Sequence, residues 1–425
     1  MSSLSLLAVA ALLTGYGLVA KRLSQSVVSA AMYFLAGGLL IGPSVLNWLD
    51  APATSATIEV LAEFTLALVL FSDASRLKLS SLRLQAAIPI RLLAFGLPLT
   101  IVAGTIGAVL LLPELLIAEA VVLAVLLAPT DAALGQAVVS DQRLPMRIRQ
   151  ALNVESGLND GICVPLLVIA LAWADAETNA LSISESLQVA AEAIGYGVLA
   201  GVAVGALAAY ALRAAQRAQW SGGSWEQIVT FAAAVGAYAM ADGWGGSGFI
   251  AAFVGGLTFG GIFKDHDSVA RFLEEAGSLT NAITFIVLGA VLVFPLMDEV
   301  DIAVLAYVIA SLTVIRMVPV AISLIGSGAR APTVAFLGWF GPRGLASLVF
   351  VVAVIDQGGL PHSEVIVTTA LATVLFSVFA HGVTALPLTR RYATWYSAQR
   401  PDMESAPTAL HRWRWQPHTA PKNPI

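Results

Sequence analysis

The chain has 425 residues, of which 58% are hydrophobic and only 12% charged, and its mean hydropathy is +0.84. Soluble domains carry about 25% charged residues, so this chain lacks the charge to coat a globular surface, and a soluble enzyme is excluded. The 22 Lys and Arg against 27 Asp and Glu give a net charge of −5, which excludes nucleic acid as a partner. The single Cys163 lies inside an apolar run, which excludes a disulfide framework and a zinc site.

A membrane crossing takes about 20 apolar residues. Thirteen apolar runs follow in order, at 3–20, 26–46, 56–72, 84–111, 115–138, 150–173, 187–213, 226–240, 247–263, 277–297, 301–325, 333–354 and 364–388. The fold expected is an all-α integral membrane protein. Cations fall in alternate loops, as they do on cytoplasmic faces. Lys21 and Arg22 follow the first run, Arg76, Lys78 and Arg83 the third, and Arg143, Arg147 and Arg149 the fifth. Arg213 and Arg217 follow the seventh run, Lys264 and Arg271 the ninth, and Arg330 the eleventh. The opposite loops hold only acids, such as Asp50, Asp175, Glu177 and Asp356. The expected topology therefore has the N-terminus outside and the C-terminus in the cytoplasm. The opening run lacks a cationic leader and reads as a mature helix rather than a cleaved signal. The tail from about Arg390 reads as a short, surface-lying segment, partly disordered.

Charges at bilayer depth cost a few kcal/mol at least, so each needs a partner, water or a task. Glu63, Arg91, Glu119, Asp131, Glu155, Asp160, Arg316 and Arg343 all fall inside apolar runs. In the fifth run, Pro129 removes a helical donor just before Thr130 and Asp131, so the helix breaks there. Asp131 then either lines a hydrated cation path or simply caps the second half-helix. In the sixth run, Glu155 and Asn159 are four apart, as are Ser156 and Asp160, which places two adjacent stripes on one helix face. Carboxylate, hydroxyl and carboxamide together make an oxygen-rich site for a small hard cation and also hold a titratable acid. The alternative is buried acids neutralised by intramembrane arginine. Arg316, mid-run among apolar neighbours, is paired with Glu155 on this reading, leaving Asp160 and Asp131 for transported ions.

A second Pro/Gly interruption, Gly341-Pro342-Arg343-Gly344, lies in the twelfth run, seven runs after the first. An odd separation makes the two breaks antiparallel, the pattern of an inverted repeat with discontinuous helices crossing at the midplane. Runs 1 to 6 would repeat as 8 to 13, with the seventh as linker. Arg343 either compensates a half-helix end or snorkels to the cytoplasmic face. The histidines His266, His362, His381, His411 and His418 show no metalloprotease or dyad spacing. That disfavours an intramembrane hydrolase, and His381 reads as polar packing rather than a base.

These residues resemble the cation/proton antiporters of the NhaP and sodium/proton exchanger type. The resemblance rests on Ala128-Pro129-Thr130-Asp131, Glu155-Ser156-Gly157-Leu158-Asn159-Asp160-Gly161, the buried Arg316, Gly341-Pro342-Arg343-Gly344, and the run Val374 to Thr384. They lie in order across about residues 60 to 390. Gly157, Ala132-Ala133 and Pro342 depart from the family's commoner residues at their positions. The resemblance implies a homodimer of thirteen-helix protomers in the plasma membrane, working by alternating access without a cofactor. It implies dimerisation helices at 1–83 and 218–300, a transport core at 84–173 and 301–390, a linker at 187–213 and a short cytoplasmic tail at 391–425. It further implies Asp160 as the carboxylate shared by cation and proton, with Asp131, Ser156 and the Thr130 carbonyl completing the Na+ shell. Asn159 would support that site, Glu155 and Arg316 would form a structural ion pair, and an Asn before the Asp suggests electroneutral one-for-one exchange. Potassium or mixed Na+/K+/Li+ exchange is the alternative, and a cation channel a distant one, because channel filters gather from symmetry-related loops.

Overall fold

The structure is a computed structural model that describes residues 2–23, 26–49, 55–76, 87–131, 134–179, 182–263, 267–291, 293, 296, 299–357, 359–399 and 402–405. Lys78, Arg83, Ala132, Ala133, Lys264, His266, His411 and His418 lie outside the described residues.

Among the described residues the chain is helical throughout. It opens with α1 (Ser3–Leu23), α2 (Ala30–Ile41), α3 (Ser55–Ser75) and α4 (Ala87–Arg91). A π-helical turn at Leu92–Gly96 joins α4 to α5 (Leu97–Leu111). The cause is local: Pro98 has no N–H for the Ala94 carbonyl, and the ladder widens to pass it. Then come α6 (Ile117–Leu126), α7 (Gln136–Val139), α8 (Met146–Asn179), α9 (Ile183–Arg217), α10 (Ser224–Gly243), α11 (Gly248–Ile262) and α12 (Asp267–Val291). The chain continues through α13 (Ile302–Leu312), α14 (Val314–Ser323), α15 (Ala331–Trp339), α16 (Leu345–Gln357), α17 (Ser363–Gln399) and α18 (Asp402–Ser405). Among the described residues, six helical stretches are long and apolar enough to cross a membrane, and four shorter apolar helices join them. The protein is a multi-pass, all-α membrane protein.

Packing partners fall into two sets. In the first, α9 lies on α11, α11 on α3, and α12 on α2 and α3. Glycine sets how closely these helices approach: a Cβ on Gly205 would collide with the Gly255 carbonyl, and one on Gly260 with the Ser75 carbonyl. Small residues at four-residue spacing let backbones meet in a medium that gives apolar side chains no drive to associate. In the second set, α6 packs between α5 and α8, and α17 against α13 and α16. Contacts of α8 with α3, α9 and α11 connect the two.

The C-terminal end is more ordered than the sequence suggests. Helix α17 runs to Gln399 instead of ending near 388, and beyond it Glu404 is only 2% exposed. Its Oε1 accepts the Arg330 N–H at 3.1 Å and the Thr333 hydroxyl, capping the start of α15. Arg147 Nη1 donates to the Met403 carbonyl at 3.1 Å, tying the same segment to the start of α8. From Arg390 to Gln399 the expected surface segment is helical rather than disordered, and Glu404 turns inward because the amides opening α15 need an acceptor; residues 406–425 lie outside the described residues.

Candidate functional site

The two interruptions meet. Helix α6 stops at Leu126, ahead of Pro129, and α15 stops at Trp339, ahead of Pro342. The Asp131 N–H donates to the Pro342 carbonyl at 2.8 Å. In return the Asp131 carboxylate accepts the Leu345 N–H at the start of α16, Oδ2 to N 3.0 Å. Its Oδ1 also accepts the Leu134 N–H at 3.3 Å. Capping is therefore part of what Asp131 does, and it extends to the other broken helix. The approach needs Gly344, since a Cβ there would strike the Asp131 carboxylate.

Arg343 is 1% exposed, so the snorkelling alternative fails. Its Nη1 stands 3.3 Å from each of the carbonyl oxygens of Ala128, Pro129 and Gly341. The first two are carbonyls left without helical donors where α6 ends, and a cation there also meets the negative end of the helix dipole. Ser347 Oγ serves a third, Leu126, at 2.9 Å.

Helix α8 brings its polar face against this crossing. Asn159 Nδ2 donates to Thr130 Oγ1 at 2.7 Å, and Thr130 Oγ1 lies 3.0 Å from Ser156 Oγ. The side-chain Oδ1 of Asn159 is buried with no hydrogen-bond partner among the described residues. Asp160, one residue on and one turn beyond Ser156, is 9% exposed. On the same side, Gly157 faces α3: a Cβ there would stand 3.7 Å from Asp73 Cβ and 3.9 Å from its Oδ2.

Glu155 and Arg316 form a buried pair, Oε1 to Nη2 2.6 Å, each side chain 3% exposed. Gly341 makes room for it, because a Cβ at that position would stand 2.5 Å from Arg316 Nε. The ion pair is thus packed against the second interruption.

Residues 8–391 match the family described as "Sodium/hydrogen exchanger, transmembrane". The chain belongs to that sodium/hydrogen exchanger family. Among curated relatives of this exchanger-family protein, the K(+)/H(+) antiporter NhaP2 of Shewanella oneidensis is 24% identical over 385 residues, covering 88% of this chain and 64% of the relative. The chain thus spans 64% of that relative's length. The low-affinity Na(+)/H(+) antiporter NhaS1 of Synechocystis is 26% identical over 366 residues, 81% of this chain and 67% of the relative. The solved structure of the sodium proton antiporter MjNhaP1 from Methanocaldococcus jannaschii at pH 8 superposes with a TM-score of 0.69 at 20% identity. It covers 94% of this chain and 97% of that one, which establishes a shared fold.

Of the eight ionisable residues singled out at membrane depth in the sequence, Asp131 and Arg343 lie at the crossing, Glu155 and Asp160 on α8 beside it, and Arg316 on α14 against Gly341. The others lie elsewhere. Arg91 Nη1 donates to the Ile325 carbonyl at 2.5 Å, just past the end of α14. Glu119, fully buried, accepts the Leu116 N–H at 2.9 Å and lies 2.8 Å from His362 Nδ1. Glu63 sits half-buried in α3. The sequence reading of this exchanger-family chain missed Asp73 by ending the third run at residue 72. The signal was present: no Gly or Pro interrupts 55–75, so α3 carries its polar end one turn further, to the face of α8.

Proposed function

We propose that this chain exchanges a monovalent cation, Na+ in the first instance, for H+ across the membrane by alternating access, one for one. The observation that carries the reading is the crossing of two unwound segments, joined by the Asp131 N–H to Pro342 carbonyl bond, beside a helix face bearing Ser156, Asn159 and Asp160. Unwound backbone at membrane depth is tolerated where it is buried in protein or lines a hydrated path, and there its carbonyls become cation ligands. Family membership and the antiporter names of the relatives support the same reading.

On this reading Asp160 binds either cation or proton, and Asp131, Ser156 and the Thr130 carbonyl complete the cation shell. Asn159 supports the shell by holding Thr130, and the Glu155–Arg316 pair is structural. Only the occupied, neutralised core crosses between facings, because an empty anionic site would carry its full burial cost through the barrier. The reading includes thirteen crossings arranged as an inverted repeat. It places a dimerisation set at 1–83 and 218–300 against a core at 84–173 and 301–390, linked by 187–213. It also includes a homodimer and an N-terminus outside the cell membrane.

Purified protein in liposomes tests it, with Na+, K+ and Li+ compared across pH and with and without an imposed voltage. Voltage-insensitive, saturable, cation-driven proton movement is expected, and Asp160→Asn abolishes it while leaving a folded protein. Robust exchange by that variant overturns the assignment of Asp160. The second reading is K+/H+ exchange, favoured by the names of the NhaP2 relatives. Saturation by K+ in place of Na+ selects it.

A further inference from the structure

We propose that His381 is a positioning residue for this exchange, bracing from α17 the unwound segment that separates α15 from α16. The proposal rests on the antiport reading and adds to it a residue outside the ion shell. His381 is 2% exposed. Its Nε2 lies 2.9 Å from the Trp339 carbonyl, the last of α15, and its Nδ1 lies 3.1 Å from Ser377 Oγ one turn back on α17. Ser377 Oγ in turn accepts the Arg343 N–H at 2.6 Å.

One assignment satisfies every group in this chain. The Arg343 N–H donates to the Ser377 hydroxyl, the hydroxyl donates to His381 Nδ1, and the His381 Nε2–H donates to the Trp339 carbonyl. The opposite tautomer turns Nδ1–H toward the Ser377 carbonyl, 2.9 Å away and within the helix, and withdraws the donor from Trp339. A second donor reaches the Trp339 carbonyl from Gly341 N–H at 2.8 Å, so the carbonyl released by the break is fully used. The indole of Trp339 lies tilted beside the imidazole, centroids 5.2 Å apart and planes at 33°, and donates to Thr384 Oγ1 at 2.9 Å.

The two anchor points, Trp339 and Arg343, flank the residues Phe340, Gly341 and Pro342. The Pro342 carbonyl holds the Asp131 N–H, and the Arg343 guanidinium holds the Ala128 and Pro129 carbonyls. A fixed brace at both ends of this short stretch therefore fixes the backbone beside Thr130 and Asp131. On this reading His381 stands outside the ion shell and acts through Trp339 and Ser377, and such bonded chains strengthen as a unit.

The test uses full-length protein in liposomes, with initial exchange rates fitted for apparent cation KM and maximal rate, and thermal unfolding measured alongside. His381→Ala raises KM about tenfold, the effect of losing one ordinary buried hydrogen bond. His381→Gln keeps an N–H at the Nε2 position and restores most of the affinity. Ser377→Ala acts in the same direction, and the double variant is no worse than the poorer single one, because both cut one chain. A lowered melting temperature with KM unchanged, or Gln as poor as Ala, overturns the brace. If His381→Ala does not fold, the Ser377→Ala and His381→Gln values decide by the same criteria. A wild-type protein that moves no Na+, K+ or Li+ against protons refutes the antiport reading itself, whereas active wild type with unaltered variants refutes the brace alone.

Discussion

Asp131 and Leu345 lie 214 positions apart in the chain, yet the Asp131 carboxylate accepts the Leu345 N–H at 3.0 Å, so the acid of one broken helix caps the other. The cap is reciprocal, because the Asp131 N–H is held by the Pro342 carbonyl. Arg343 completes the exchange of charges from the opposite side, on the carbonyls that α6 leaves open. Each interruption thus supplies the group that the other one lacks, and neither is stable alone in hydrocarbon.

On the proposed reading Asp131 is a cation ligand, so Asp131→Asn, which keeps an oxygen near Leu345 but removes the charge, leaves the fold in place and lowers apparent cation affinity more than about tenfold. Asp131→Ala removes both caps as well and costs a further 1–2 kcal/mol or so of stability. Thermal unfolding in detergent, set beside liposome exchange, separates the two effects. Equal melting temperatures for Asn and Ala would show that the caps carry no stability.

Gly344→Ala places a methyl group against the Asp131 carboxylate, whereas a Cβ on Gly261 meets nothing within 4 Å. The first variant loses exchange, and the second retains it with stability unchanged or raised by about 0.5–1 kcal/mol from helix propensity. Comparable activity in the two would mean that Asp131 need not stand where the structure places it.

Removing one partner of the Glu155–Arg316 pair strands a buried charge and costs about 3–5 kcal/mol, while replacing both with apolar residues of similar volume costs far less. Arg316→Met is therefore poorly folded, and Glu155→Leu/Arg316→Met recovers much of the yield and melting temperature. A double variant as unstable as the single one would point to a task for the pair beyond mutual neutralisation.

Glu404→Ala uncaps α15 and lowers stability by about 1 kcal/mol, with Glu404→Gln milder because it keeps an acceptor. Hydrogen exchange reads this locally: the Arg330 amide and its neighbours exchange faster in the Ala variant. Unchanged protection at Arg330 contradicts a capping role.

Much of the architecture is legible in the sequence because its causes are local. Apolar length places the helices, and the missing donors of Pro129 and Pro342 mark where two of them stop. Four-residue spacing puts Ser156 and Asp160 on one face. The Arg343 alternatives could not be separated in the same way, since a cation near a helix break serves either a carbonyl or the lipid boundary until its depth is known. Asp73 was lost to a boundary drawn where the apolar run ended, although the helix continued past it. His381 read as packing because its partners are the Trp339 carbonyl on another helix and Ser377, a serine whose own donor, the Arg343 amide, lies 34 positions away.

The sequence alone determined that this chain lives in a membrane, that its helices stop at two prolines, and that buried acids gather on the elements around those stops. Hydrophobic length and backbone donors are properties of neighbouring residues. Only the tertiary structure decided that Asp131 caps the helix opposite, that Arg343 serves the carbonyls of α6, and that Glu404 returns to cap α15. Those bonds join groups far apart in the chain, and the direction in which an unsatisfied donor or acceptor finds its partner depends on packing that no local pattern records.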